Sequence, residues 1–206
     1  MKDLLSLFVS TDPSHQQLHE PFSVGNHSYA TDGKILIRVP RQPDIPEKTE
    51  DIPPVGVIAI EPPECYIFSP LSAADVPAAN EVPCDECFGT GQVGLCHECH
   101  GDGAVSFKSA YNGYAVPCKT CSGHGRVTEG HSVTTCEVCQ GKKKTVDQST
   151  LYEILPGKWI PLFLIDLVVR NLESVEVAPL NEYLVAIRFD GGDGCIGLCL
   201  PPELPA

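Results

Sequence analysis

The sequence predicts an α+β protein, a small split α/β-sheet scaffold with a cysteine-rich β-ribbon module inserted in its middle. Three observations predict it. Alternating apolar residues near both ends have the period of strands, and one stretch in the C-terminal third has the period of a helix. Eight of the eleven cysteines fall between residues 84 and 139. The expected organisation is residues 1–80 as the N-terminal half of the scaffold plus a proline-rich linker, 81–145 as the module, and 146–206 as the C-terminal half. Each flank is short for an independent core, and packing the two together solves that problem. Two separate minidomains are the alternative.

At the N-terminal end, "LLSLFV" reads as a short helix or strand. "FSVGNHSYA" and "KILIRVP" flank "TDGK", where Asp32 and Gly33 supply the left-handed positions of a hairpin turn. Ile35, Ile37 and Val39 alternate with Leu36 and Arg38, as a strand requires. Residues 40–83 hold ten of the nineteen prolines and read as a linker, with "VGVIAI" (55–60) and "CYIF" (65–68) as possible strands. Between the second and third cysteine pairs, "AVSFKSAYNGYAVP" predicts a hairpin with Asn112-Gly113 at its tip, carrying Phe107, Tyr111 and Tyr114. Over 160–172, Phe163, Leu164, Leu167 and Val168 recur at helical spacing, and Asp166 and Arg170 stand four apart as an ion pair. "SVEVAP", "NEYLVAIRFD" and "CIGLCLPP" read as three strands. Tyr183, Val185, Ile187 and Phe189 share a face, and "FDGGDG" turns between the last two. Trp159 reads as a core or edge aromatic.

The cysteines repeat a unit: "CDECFGTG" (84–91), "CHECHGDG" (96–103), "CKTCSGHG" (118–125) and "CEVCQGKK" (136–143). A CxxC turn presents two thiolates from one bend, and two turns complete a tetrahedral zinc site. Four turns therefore make two closed sites, and two zinc ions are expected. The trailing glycines allow the chain to fold back beside the sulfurs. A redox CxxC is expected singly beside a βαβ pattern, which this sequence lacks. His97, His100, His124 and His131 lie close by and read as exposed loop residues. Cys65, Cys195 and Cys199 lie outside the repeats, the last two on one face of a presumed strand, opposite Ile196, Leu198 and Leu200.

The repeated CxxCxGxG unit resembles the central cysteine-rich, zinc-binding domain of the DnaJ-type co-chaperones. Three units match fully, and the fourth carries Lys143 in place of the last glycine. The likeness covers residues 84–143. It implies that the first unit pairs with the fourth and the second with the third. Zinc site 1 would then be Cys84, Cys87, Cys136 and Cys139, and zinc site 2 Cys96, Cys99, Cys118 and Cys121. Pairing of adjacent units is the geometric alternative. The HPD tripeptide of the J domain and a Gly/Phe-rich linker do not occur in this sequence, so the route through an ATP-driven chaperone is not expected; protein binding by the module is. The flanks, "SYATDGKILIRVP" and "YLVAIRFDGGDGCIGLCLPP", bear a weaker resemblance to sliding-clamp-like domains. That likeness implies a link to DNA replication or repair.

The formal net charge is −13, divided as −6 over residues 1–80, −2 over 81–149 and −5 over 150–206. Such a balance disfavours broad binding to a phosphate backbone, which needs clustered Lys and Arg. Two sites of four thiolates around a dication would take the module from −2 to about −6. Neither a P-loop nor a G-x-S-x-G elbow occurs. Asp190 and Asp193 read as solvated turn residues. No apolar run approaches the roughly 18 residues of a transmembrane helix, and the N-terminal stretch is a poor secretory signal. The expectation is a non-enzymatic cytoplasmic zinc protein that binds an unfolded polypeptide or a protein partner, without a membrane. The alternatives are a nucleic-acid-associated clamp-like or DNA-mimicking adaptor, and a thiol-disulfide oxidoreductase.

Overall fold

The computed structural model describes residues 2–53, 67–130 and 133–199. The chain is mostly β, with a few short helices. It divides into two compact units, Met1–Ala79 with Gln148–Ala206, and Asn80–Asp147. The proposed strands at 55–60 and 65–66 lie outside the described residues, as do Cys65 and His131; residues 67 and 68 are not strand.

The first unit begins with α1 (Lys2–Leu5) and a 3-10 turn (Ser6–Phe8), whose Leu5 and Phe8 are buried. Strands β1 (Phe22–Val24), β2 (His27–Thr31), β3 (Ile35–Pro40) and β4 (Ser69–Pro70) follow. The module supplies β5 (Glu81–Pro83), β6 (Gln92–Leu95), β7 (Ala104–Lys108), β8 (Gly113–Pro117), β9 (Arg126–Val127), β10 (Thr134–Thr135) and β11 (Lys144–Val146). The chain then returns to the first unit through β12 (Leu151–Leu155), β13 (Lys158–Pro161), α2 (Leu162–Asn171), β14 (Glu176–Pro179), β15 (Leu184–Phe189) and β16 (Gly192–Gly197).

Seven of these strands form one antiparallel sheet in the order β1-β2-β3-β16-β15-β14-β4. Strands from the two ends of the chain meet at β3 and β16, so the flanks build one sheet. Its β2–β3 turn is set by Asp32, whose Oδ1 accepts the amides of Lys34 and Ile35 at 2.8 and 2.9 Å. The period of two divides the sheet's side chains between its faces. Ile35, Ile37, Val39, Val185, Ile187, Phe189 and Ile196 join α2's Leu164, Ile165 and Val168 in the main core. Leu36, Ala186 and Cys195 join Phe22, Tyr29 and Leu180 on the other face. Each such Ile or Leu contributes about 1.5–3 kcal/mol by leaving water. Across β3 and β16, Arg38 faces Asp193 in register, and Arg38 Nε donates to Asp193 Oδ1 at 2.7 Å. That bond raises the guanidinium pKa further.

Several sequence expectations are corrected. The α+β expectation holds in its coarser form: the structure is mostly β with a few short helices, and among the described residues α2 is the one helix longer than two turns. Helix α2 starts at Leu162, since Pro161 before it is extended; its buried face is Leu164, Ile165, Val168 and Val169, and Phe163 and Leu167 lie at the margin. Asp166 and Arg170 do pair. Tyr183 precedes β15 and is 69% exposed, so it leaves the buried face of Val185, Ile187 and Phe189. The "FDGGDG" turn narrows to Asp190-Gly191; Phe189 ends β15, and Gly192, Asp193 and Gly194 open β16. A Cβ at Gly194 would stand 2.4 Å from the Leu36 carbonyl oxygen, which explains a glycine inside a central strand. The hairpin β12–β13 was not expected, although Pro156-Gly157 marks its turn. The linker is partly structured: Val76 is buried in the core, and the Leu71 amide donates to the Val175 carbonyl at 2.8 Å.

Candidate metal centre

The second unit is built around its sulfurs. Strands β5 and β11 pair at its base, β6 lies between β10 and β9, and β7–β8 form a separate hairpin. Its loop is the four residues 109–112 rather than an Asn-Gly tip; Gly113 pairs with Lys108 inside the ladder. Ser109 Oγ closes that loop by accepting the Asn112 amide at 2.9 Å.

Each repeat makes the same turn. The residue after the second cysteine is left-handed in all four: Phe88, His100, Ser122 and Gln140, with φ of 51°, 52°, 53° and 50°. The last position of the unit is left-handed as well, at Gly91, Gly103 and Gly125 and also at Lys143, with φ 70°. The lysine thus adopts the glycine conformation, at a cost of about 1 kcal/mol. Glycine is required at 103 and 125 for a second reason. A Cβ there would stand 2.3 and 2.1 Å from the carbonyl oxygens of Gly123 and Gly101.

Those close approaches bring the repeats together in pairs. Cys84 donates its amide to the Lys143 carbonyl at 3.0 Å, and Cys136 donates to Gly91 at 2.9 Å. Cys96 donates to Gly125 at 2.9 Å, and Cys118 to Gly103 at 2.8 Å. Each pair of repeats therefore exchanges hydrogen bonds reciprocally, the first with the fourth and the second with the third.

Two buried four-sulfur clusters result: Cys84, Cys87, Cys136 and Cys139, and Cys96, Cys99, Cys118 and Cys121. Within each, all four sulfurs lie within 4.8 Å of one another. The sulfurs of Cys84 and Cys136 are 3.9 Å apart and those of Cys87 and Cys139 3.7 Å. In the other cluster the separations are 3.8 Å for Cys96–Cys118 and 3.7 Å for Cys99–Cys121. Four thiolates held about 2.3 Å from a zinc ion stand about 3.8 Å apart along the edges of a tetrahedron. The clusters fit a tetrahedral metal ion, and each can hold one. Adjacent pairing of the repeats is not what the fold adopts.

Backbone amides already point at sulfur: Gly91 donates to Cys87 Sγ at 3.2 Å, and Gly125 to Cys121 Sγ at 3.1 Å. The Cys99 amide leads the effects that draw the Cys96 thiol down to about 7. Burial works against ionisation of Cys87, yet the Gly91 amide and the neighbouring thiols hold it at about 7. Burial pushes Cys84 up to about 12 and raises Cys136. A dication would supply the charge that lets all four ionise together.

Among the described residues, His97, His100 and His124 stand outside both clusters. Cys195 lies in the first unit against Phe22 and Leu36, its thiol pushed up to about 11 by burial and then by Asp193. Strand β16 ends before Cys199, whose amide donates to the Trp159 carbonyl at 2.8 Å. Asp193 is engaged by Arg38. Two contacts had no signal in the sequence, because Glu86, Phe88 and His124 fall on variable positions of the repeats and Arg126 lies just beyond the third. Glu86 Oε1 pairs with Arg126 Nε at 2.9 Å, and the Phe88 and His124 rings meet edge to face at 5.0 Å.

The chain is similar in part to DnaJ chaperones. It is 29% identical over 77 residues to the chaperone protein DnaJ of Helicobacter pylori strain 26695, which covers 35% of this chain and 20% of the relative. Against the chaperone protein DnaJ of Paramagnetospirillum magneticum it is 31% identical over 89 residues, 41% of this chain and 22% of the relative. The chain thus spans about a fifth of the length of the curated relatives it matches. No family model and no solved structure matches it. The partial match and the two four-cysteine clusters are both consistent with a DnaJ-type cysteine-rich zinc module.

Proposed function

We propose that Cys84, Cys87, Cys136 and Cys139 bind one zinc ion, that Cys96, Cys99, Cys118 and Cys121 bind a second, and that the protein works by holding polypeptide. The single observation that carries the metal reading is the pair of closed, tetrahedron-sized sulfur clusters. Cysteine thiolate in fours selects zinc among the common cellular ions. With four protein ligands each, neither ion keeps a position for water or substrate, so the role is structural rather than hydrolytic. The partial likeness to DnaJ chaperones supports an unfolded or partner polypeptide as the ligand. So do the exposed apolar side chains of the second unit, Phe88, Leu95, Phe107, Tyr114 and Val138. The acidic balance disfavours nucleic acid, and reduced thiols suit the cytoplasm.

The test is suppression of aggregation of a chemically denatured model protein by the zinc-loaded chain. The expected result is suppression at near-stoichiometric ratios, lost on chelation and reduced by Phe107→Ser with Tyr114→Ser at unchanged zinc content. A loaded protein that leaves aggregation untouched overturns the polypeptide-holding role. Insulin reduction by the zinc-saturated chain would put thiol exchange in its place.

A further inference from the structure

The two clusters share one strand. β6 starts after Gly91, whose carbonyl accepts the Cys136 amide, and ends before Cys96, whose amide donates to Gly125. On one side Gln92 and Val93 pair with Thr135 and Thr134, which run into Cys136. On the other, Gly94 and Leu95 pair with Val127 and Arg126, which run out of the third repeat. Val93 packs against the first cluster and Val127 against the second. Each pairing covers two residues, too few to persist unless both ends are held.

Side chains add a second connection. Glu86 lies inside the Cys84–Cys87 turn and reaches Arg126 at 2.9 Å. Arg126 follows Gly125, whose amide donates to Cys121 Sγ. Phe88 follows Cys87 directly, and its partner ring belongs to His124, whose amide donates to the Cys121 carbonyl at 3.0 Å. All four side chains are therefore fixed by the turns that hold the ligands of one cluster or the other.

We propose that β6 and the Glu86–Arg126 and Phe88–His124 contacts couple the clusters, so that filling one raises the metal affinity of the other. The inference rests on the metal reading proposed above. Its physical basis is shared ordering. Metal in one cluster fixes its knuckles and one end of β6, and the second ion then binds a partly ordered site. The half-exposed ion pair supplies part of it, at most about fivefold. The strand and the ring contact supply the rest.

The test uses cobalt(II), whose tetrahedral thiolate bands report occupancy, in chelator competition on the full chain. Cys136→Ser with Cys139→Ser leaves only the second cluster; Cys118→Ser with Cys121→Ser leaves only the first. The expected result is that the wild-type two-ion constant exceeds the product of the two single-cluster constants by about fivefold or more. In E86Q/R126Q, which keeps all eight thiols, that excess falls by about two- to fivefold. A two-ion constant equal to the product within twofold overturns the coupling and leaves the metal reading intact. An unchanged excess in E86Q/R126Q removes the ion pair from the coupling. A wild-type chain that shows no tetrahedral cobalt bands overturns the metal reading, and the coupling with it.

Discussion

The two units are held together by different physics. In the first, the interior is aliphatic: Ile37, Ile165, Ile187, Ile196 and their neighbours are packed between a sheet and a helix. In the second, the buried positions among the described residues are the eight cysteines and Gly91, Gly103 and Gly125. Several of its apolar side chains, Leu95, Phe107 and Val138 among them, face outward, while Val93, Val105 and Val127 pack against the clusters. A unit of this size without an aliphatic interior needs a staple, and two clusters that can each hold a metal ion are placed to supply one. The first unit therefore folds by excluding water, and the proposed role of the second unit's clusters is to fold it by holding ions.

The largest expected effect breaks that comparison directly. Chelation of the loaded protein removes hydrogen-exchange protection from residues 80–147 while amides of the seven-stranded sheet keep theirs. Loss of protection in both units would show that the scaffold also depends on metal. The converse experiment is Ile165→Ala, at a position that is fully buried in the scaffold core. It costs the first unit about 2–5 kcal/mol in denaturant unfolding and leaves the metal stoichiometry unchanged.

These expectations depend on how much of each unit was legible in the sequence. The repeats were legible because paired cysteines and trailing glycines recur at fixed spacing in all four, with Lys143 the one exception. Their pairing was not readable from spacing; it followed from resemblance, and the reciprocal hydrogen bonds between Cys84 and Lys143 and between Cys136 and Gly91 now give its structural reason. In the scaffold, Asp32-Gly33 and the alternation of Ile35, Ile37 and Val39 placed the β2–β3 turn and β3, but only Gly33 is left-handed there, and "FSVGNHSYA" splits at Gly25-Asn26 into β1 and β2. The start of β16 was missed because Gly192 and Gly194 carry a turn's composition. They are glycines because the backbone of β3 approaches too closely for a Cβ. That is a tertiary cause, invisible to local pattern. Glu86–Arg126 was illegible for the same reason, since 40 residues separate its partners.

A smaller effect is expected with pH. The Cys195 thiol is raised to about 11 in the folded scaffold, above its value of about 8.5 in an unfolded chain. The neutral thiol is the folded form, so this stability is complete below about pH 8.5 and is lost as pH rises toward 11. Urea midpoints of the scaffold transition should fall over that window, and Cys195→Ala should flatten the fall. An identical slope in the variant would remove Cys195 from the effect. The smallest change sharpens the module. Lys143→Gly relieves a left-handed lysine at φ 70° and should stabilise the loaded first cluster by about 1 kcal/mol, read by chelator competition.

Most direct of all is the metal content of the native protein, with thiols counted before and after chelation. Two zinc ions per chain, with eight further thiols becoming reactive on chelation while Cys195 stays buried in the folded scaffold, is the predicted result. Less than one zinc per chain, with the repeat cysteines already paired as disulfides, would contradict it.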